Sequence, residues 1–242
     1  MQIEKFRDNT ALSHGAADWI VHQITDKLKD QEYFTLVLSG GNTPKALFEL
    51  LGASPYKEKI PWTRLHIFWG DERAVPFTDS RNNAKMAFDT LLNHVPIPSD
   101  QIHIMKTDIS PEQSAAQYSE ILHRYFTETK ASPSFDLVLL GMGDDGHTLS
   151  LFPGTEVVHE DVEWTKAYYL KEQDMYRITL TKVIVNRADK ILFLISGDAK
   201  SEALKQVIQG DPNPDKYPSQ VIKPSSDGLF FFVDEAAAAK LT

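Results

Sequence analysis

The stretch FDLVLLGMGDDGHTLSLFPG, residues 135–154, decides how the rest of the chain is interpreted. It begins with an apolar run, Phe135 to Leu140, of the kind that forms a strand buried on both faces. Glycines, two adjacent aspartates and one histidine follow, and Pro153 and Gly154 end the segment. Open α/β sheets place their chemistry just past the carboxyl ends of strands, so this turn is the candidate catalytic centre.

His147 is the residue of this turn that is best suited to proton transfer. The unperturbed pKa of a histidine, about 6.5, lies close to physiological pH. His147 directly follows Gly146 and lies beside Asp144 and Asp145. An isolated histidine is more often structural, but a glycine and aspartate turn after a buried strand favours a functional one. We therefore expect His147 to act as a general acid or base.

The composition of the chain excludes several classes of protein. With 242 residues, 42% of them hydrophobic and 24% charged, it has the make-up of an ordinary globular protein. It contains no cysteine, which removes disulfides, thiolate catalysis and cysteine zinc sites together. The net charge of −9 argues against nucleic-acid binding, which needs a basic face.

The sequence predicts a cytoplasmic protein. The first residues, MQIEKFRDNT, are polar and lack the apolar region of a signal peptide. No apolar run approaches the roughly 20 residues that span a bilayer, so we expect no membrane association. We find no internal repeat and no shift in composition, and we expect residues 1–242 to form a single domain that acts as a monomer.

Buried strands alternate with helical patterns along most of the chain. This order predicts an α/β fold whose mainly parallel sheet carries helices on both faces, a Rossmann-like, doubly wound arrangement. A small additional β segment is expected from two further strands, 164–170 and 176–180. The predicted buried strands are residues 34–38, 65–69, 135–140, 190–195 and 229–233.

A second glycine turn follows the strand at 34–38. Ser39, Gly40, Gly41 and Thr43 lie in this turn, and a proline then opens a helical segment. Free backbone N–H groups and the helix dipole make such a turn a binding site for phosphate or another anion. The alternative is a plain strand-to-helix turn that uses glycine only for tightness.

Charged residues at three further positions are candidates for the same site. Asp71 and Arg73 follow the strand at 65–69, although a solvated turn with a surface ion pair would look the same. Arg177 lies inside a predicted strand, and Lys200 lies in the first turn of a helix. A lysine there opposes the helix dipole, which suggests a functional reason, although most lysines are simply solvated.

Three other kinds of chemistry fit the sequence less well. Residues 141–146 match the dinucleotide fingerprint G-x-G-x-x-G, but Pro153 stops any long helix after it. The histidines are scattered without metal-ligand spacing, so we expect no metal site. The serine hydrolase motif G-x-S-x-G is absent. The remaining interpretation is that His147 works without a cofactor.

Several segments together resemble the 6-phosphogluconolactonase family, in that family's order and over essentially the whole chain. The wider superfamily includes the glucosamine-6-phosphate isomerases and deaminases. Those deaminases typically place an acidic residue five positions after the histidine, where this chain has Phe152, and a tyrosine where it has Arg73. Both differences favour the lactonase. The matching segments are LSGGNTPKALFELL (38–51), FWGDERAVPFTDSRNNAKMAFDTLL (68–92), FDLVLLGMGDDGHTLSLFPGT (135–155), RITLT (177–181) and ISGDAK (195–200).

The resemblance implies hydrolysis of 6-phospho-D-glucono-1,5-lactone, the second step of the oxidative pentose phosphate pathway, without metal or nucleotide. It implies that His147 is the general base, oriented by Asp71 or Asp145. Arg73, or backbone N–H groups of the turn at 141–146, would stabilise the oxyanion. The substrate-binding residues that it implies are Ser39, Gly40, Gly41, Thr43, Gly146, Arg177 and Lys200.

Two alternatives to the lactonase remain open at this point. One is a sugar-phosphate isomerase or deaminase of the glucosamine-6-phosphate type on the same scaffold. The other is a sugar-phosphate sensor that binds its ligand without catalysis.

Overall fold

The computed structural model describes residues 1–128, 134–224 and 227–242. The main sheet has seven strands, all parallel, in the order β1-β10-β9-β6-β2-β3-β5. Its strands are β1 (Gln2–Phe6), β2 (Phe34–Leu38), β3 (Leu65–Trp69), β5 (Ile102–His103), β6 (Leu137–Leu140), β9 (Lys190–Ile195) and β10 (Leu229–Asp234). A second, antiparallel sheet has the order β4-β8-β7, from β4 (Asp71–Arg73), β8 (Met175–Leu180) and β7 (Thr165–Leu170).

Helices connect the strands and cover both faces of the main sheet. They are α1 (Asn9–Lys27), α2 (Asn42–Leu51), α3 (Tyr56–Lys59), α4 (Asn83–Thr90), α5 (Pro111–His123), α6 (Lys182–Val185) and α7 (Ser201–Gln209). Neighbouring residues of one strand enter different cores: Leu139 packs in the cluster that contains Ile20 of α1, and Leu140 in the cluster that contains Tyr118 of α5. The predicted α/β class, with helices on both faces, is therefore confirmed.

The order in which successive strands are added across the sheet reverses between β2 and β6. From β2 the chain moves outward through β3 to β5, and from β6 it moves outward on the other side through β9 to β10. Leu36 of β2 is aligned with Leu137 of β6, so the two strands lie side by side. A crevice forms past the carboxyl ends of the strands at such a switch point, and this is where open α/β sheets bind ligands.

The strands that the sequence patterns did not predict are polar or short. β1 is an exposed edge strand without an apolar run, and β4 was expected to be a turn. α4 begins after Asn82, whose side chain accepts a hydrogen bond from the Lys85 N–H, and not after Ser80, where the sequence also offers a capping residue. Ser110 and Thr181 cap α5 and α6, accepting hydrogen bonds from the N–H groups of Gln113 and Val183. Within the described residues, no helix combines the length and apolarity needed to cross a bilayer.

Candidate active site

A cavity of about 310 Å³ opens at the switch point between β2 and β6. Its walls come from the turn after β2, the turn after β6, the small sheet and the start of α7. Asp145 and Gly146 do not line it. The other predicted site residues all do: Ser39, Gly40, Gly41, Thr43, Asp71, Arg73, His147, Arg177 and Lys200.

The imidazole of His147 is held by Asp145. The Nδ1 of His147 lies 2.6 Å from Oδ1 of Asp145, and the same oxygen accepts the backbone N–H of His147 at 3.0 Å. A carboxylate only accepts hydrogen bonds, so Nδ1 carries the proton and Nε2 of the neutral ring is an acceptor. Within residues 1–128, 134–224 and 227–242, Nε2 has no hydrogen-bond partner. The structure therefore leaves a basic nitrogen of a cavity-lining ring unoccupied.

The ionised form of Asp145 is favoured by this contact. Partial burial of the carboxyl raises its pKa, but the side-chain and backbone hydrogen bonds of His147 lower the pKa of Asp145 by more. The side chain of Asp145 remains 41% exposed and that of His147 27% exposed. Asp145 is thus an anion that touches the imidazole from outside the cavity.

Gly143 makes room for this pair. A Cβ at this position would lie 2.1 Å from Nδ1 of His147 and 2.3 Å from Oδ1 of Asp145. The backbone N–H of Gly143 donates to the carbonyl of His147 at 2.8 Å, and the N–H of Gly146 donates to the carbonyl of Gly143 at 3.1 Å. The turn folds back on itself, and only a residue without a side chain fits at position 143.

Gly146 shapes the turn from outside the cavity. Its φ of +79° is a left-handed conformation, and a Cβ here would lie 2.9 Å from Cδ1 of Tyr217. Its carbonyl accepts two hydrogen bonds from Ser219, at 2.9 Å from the backbone N–H and 2.8 Å from Oγ. The structure places Gly146 against this loop and not at the cavity wall, where a substrate contact was expected.

Asp71 contacts Arg177 and not the imidazole. Its Oδ2 accepts from Nη2 of Arg177 at 2.9 Å and from Oγ of Ser150 at 2.7 Å. Nε of Arg177 donates to the same serine hydroxyl at 2.8 Å. Of the two carboxylates considered for orienting His147, only Asp145 makes a hydrogen bond to it.

Arg73 is held by hydrogen bonds between β4 and the start of α4. The buried carboxylate of Glu72 accepts backbone N–H groups from Arg73 and Asn83 at 2.8 and 2.7 Å, and from Ala84 at 2.8 Å. Burial raises the pKa of Glu72 to about 7, and these three N–H groups act in the opposite direction. Nη1 of Arg73 donates to the carbonyl of Arg81 at 2.8 Å and to Oδ1 of Asn83 at 3.3 Å.

Asn83 is a cavity residue that the sequence did not reveal. Its Nδ2 donates to the carbonyl of Asp71 at 3.0 Å. Its Oδ1 lies so close to Gly40 that a Cβ there would be 2.1 Å away. Asn83 therefore joins the turn after β2 to the small sheet, a contact between distant segments that no local motif reports.

The turn after β2 has the geometry of an anion site. Gly41, with a φ of +104°, caps α2, and the first N–H groups of that helix face outward without an intrahelical acceptor. Lys200, the residue before α7, lines the same cavity and forms no ion pair within the residues that the structure describes. In those residues, no three histidine, aspartate or glutamate side chains cluster as a metal site would need.

The fold and the cavity define an α/β protein that places an imidazole and a carboxylate beside an anion-binding turn, at the switch point of a parallel sheet. A family model described as glucosamine-6-phosphate isomerases/6-phosphogluconolactonase matches residues 7–231. The chain belongs to this family.

Individual relatives agree with that assignment over the whole chain. A 6-phosphogluconolactonase of Nostoc sp. is 38% identical over 242 residues, covering 99% of this chain and 98% of that protein. A crystal structure of the devB protein has a TM-score of 0.89 at 30% identity, covering 100% of this chain and 99% of the other. A 6-phosphogluconolactonase from Trypanosoma cruzi has a TM-score of 0.86 at 28% identity, with 100% and 97% covered.

Proposed function

We propose that this protein hydrolyses 6-phospho-D-glucono-1,5-lactone to 6-phospho-D-gluconate, the second step of the oxidative pentose phosphate pathway, without metal or cofactor. One observation carries the proposal: the imidazole of His147, backed by Asp145, and the anion-binding turn at Ser39–Thr43 line one cavity. A sugar phosphate bound there has a base beside its sugar ring and an anion-binding turn beside its phosphate. Relatives named for this activity support the choice of substrate.

The base chemistry follows from the two nitrogens of His147. Water attacks the lactone carbonyl and passes a proton to Nε2, while the carboxylate of Asp145 holds Nδ1–H and stabilises the imidazolium. The imidazolium then returns the proton to the ring oxygen as the bond between that oxygen and the carbonyl carbon breaks. The products are a carboxylic acid, which ionises at neutral pH, and a free hydroxyl.

Arg73 is the group best placed to stabilise the oxyanion. Two of the N–H groups in the turn after β6, those of Gly143 and Gly146, already bond within the turn. Nη1 of Arg73 has carbonyl partners, but its Nη2 and Nε have none in the part of the chain that the structure describes. A guanidinium with free donors at a cavity wall meets the requirement of a preorganised charge.

Lys200 and the first turn of α2 would hold the phosphate. Lys200 brings a positive charge that no described carboxylate neutralises. Arg177 also faces the cavity, but it is paired with Asp71. We therefore assign Lys200 the larger electrostatic contribution and Arg177 a hydrogen-bonding one.

Hydrolysis releases one acid group, so a pH-stat assay with freshly generated lactone tests the proposal. The wild type should exceed the spontaneous rate, and His147→Ala should lower kcat by about 10²–10⁴-fold. His22→Ala, an exposed histidine on α1, is the matched control and should keep full activity. Full turnover by His147→Ala would remove the base assignment.

Two further assays separate the alternatives. Ammonia release from glucosamine 6-phosphate would indicate the deaminase, and we expect none. Calorimetric binding of 6-phosphogluconate without any acceleration of lactone hydrolysis would indicate a sensor.

We also propose that residues 1–242 form a single domain and that the protein is a monomer. The cavity is lined by residues from Ser39 to Lys200, which supports a single domain, and a monomer is the oligomeric state that we expect. Light scattering after gel filtration measures that state directly. A cytoplasmic location is consistent with a sequence free of cysteine, and fractionation of expressing cells tests it.

A further inference from the structure

Phe152 covers one face of the His147 imidazole. The centroids of the two rings are 4.0 Å apart and the ring planes differ by 20°, which is a stacked arrangement. Phe152 is buried, with 8% of its surface exposed, and it does not line the cavity. Phe152 therefore touches the proposed base without reaching the substrate.

Stacking supplies a restraint that the hydrogen bond to Asp145 does not. One hydrogen bond restrains Nδ1, but it still allows a small rotation about the side-chain bonds that tilts the ring plane and moves Nε2. A flat ring against the imidazole face blocks that rotation. Together, Asp145 and Phe152 aim Nε2 in one direction, which is what proton transfer to a bound water requires.

The backbone of Phe152 is held in place by hydrogen bonds. Its carbonyl accepts hydrogen bonds from Oγ1 of Thr155 at 2.7 Å and from the Thr155 N–H at 3.2 Å. On the Arg177 side, the guanidinium carbon lies 5.6 Å from the centroid of the phenyl ring. Arg177 keeps hydrogen bonds to Ser150 and Asp71 that do not involve the phenyl ring. Removing that ring therefore affects His147 more than Arg177.

We propose that Phe152 is a positioning residue for His147, holding the imidazole plane so that Nε2 faces the substrate. This inference rests on the proposed function, because a loss of orientation appears in kcat only if His147 is the base. The orientation of the imidazole can also be measured without turnover.

Phe152→Leu is the variant that tests the inference, because it keeps apolar bulk but removes the flat face. It should lower kcat by about ten- to hundredfold, and KM should stay within about twofold because Phe152 does not line the cavity. Phe152→Tyr keeps the ring and should retain most of the wild-type kcat. Phe231→Leu is the matched control: Phe231 is buried and stacks on Phe193 at 4.6 Å, so its loss should lower Tm while kcat is unchanged.

Proton NMR provides the readout that is independent of activity. A ring stacked at this distance shifts the carbon-bound protons of His147 upfield, and Phe152→Leu should return them to ordinary positions while Phe231→Leu should not. A folded Phe152→Leu protein with wild-type kcat, or His147 resonances without an upfield shift in the wild type, would overturn the inference. A wild type that shows the shift but does not accelerate lactone hydrolysis would instead refute the proposed function.

Discussion

Asp71 and Arg177 form an ion pair, 2.9 Å between Oδ2 and Nη2, with side chains only 6% and 4% exposed. The pair joins the two strands β4 and β8 at the wall of the cavity. Two charges taken out of water need each other, because either one alone would be buried without a counter-ion. The pair is therefore both a structural contact and a part of the proposed substrate site.

Arg177→Ala should affect stability and substrate binding at once. It leaves the carboxylate of Asp71 buried and unpaired, so we expect the free energy of unfolding to fall by about 3–5 kcal/mol. KM should rise more for the phosphorylated lactone than for gluconolactone, because only the former carries a phosphate. Urea denaturation and paired kinetics on the two lactones measure both effects. Equal increases in KM for the two substrates would remove Arg177 from the phosphate site.

Lys200→Ala should raise KM for the phosphorylated lactone without a comparable loss of stability. Within the described residues Lys200 has no ion pair to lose, so the substitution leaves no buried charge. Loss of a charge-assisted contact to phosphate predicts an increase in KM of about tenfold or more. Lys205→Ala, on the next turns of α7 and outside the cavity, is the control. Similar KM values for Lys200→Ala and the wild type would contradict the phosphate assignment.

Gly143→Ala should separate His147 from Asp145. The added Cβ would lie 2.1 Å from Nδ1 of His147, so the imidazole must move. We expect kcat to fall by about 10²-fold or more, since a shift of about 1 Å in a catalytic group has that effect. Gly154→Ala is the control, because its φ of +71° also brings strain but its Cβ would meet nothing within 4 Å. If both variants keep the wild-type kcat, the turn does not position the base.

A pair of histidines remote from the cavity should make stability sensitive to acid. Nδ1 of His66 lies 3.2 Å from Nε2 of His103, at the junction of β3 and β5. Burial, and then the neighbouring His66, lowers the pKa of His103 from 6.5 to about 4, and burial also lowers the pKa of His66. The unfolded chain therefore binds more protons than the folded protein between those values, so stability falls as the pH is lowered from about 6.5 to about 4.

His103→Gln removes one titrating group from this pair. The free energy of unfolding of the wild type should fall by about 2–3 kcal/mol more than that of the variant as the pH is lowered from about 7 to about 4. Urea titrations at several pH values give the difference, in which contributions of other groups cancel. Parallel pH profiles for the two proteins would show that His103 does not titrate below its ordinary range.

Sequence patterns predicted the parts of the fold that depend on local apolar runs. The strand at 34–38 was placed at its observed bounds, because five successive apolar or β-branched residues are typical of a strand buried on both faces. β1 was missed because it is an exposed edge strand. β4 was missed because its three residues are all charged. Its strand conformation depends on pairing with β8, about which the local sequence carries no information.

Local sequence likewise predicted some features of the candidate site and left others undecided. Glycine turns after strands marked the positions of His147 and the turn at 39–43. What the sequence did not decide is which carboxylate contacts the imidazole, because Asp71 and Asp145 both follow strand ends. That choice depends on the register of β4 against β8, which aligns Asp71 with Thr179 and brings it to Arg177. Asn83 acts through a contact between distant segments, and Phe152, although only five residues from His147, is not part of a motif that names its partner.

The reversal between β2 and β6 also has a consequence for how the protein is made. The turn after β2 leaves the ribosome first, the imidazole much later, and Lys200 only when β9 has been synthesised. A nascent chain that ends with β9 contains His147 and Asp145 but lacks Lys200, and it also lacks β10 and the Ser219 contact that supports the turn at Gly146. The complete cavity is therefore gained near the end of translation, and a product truncated after β9 should not hydrolyse the lactone even though it retains His147 and Asp145.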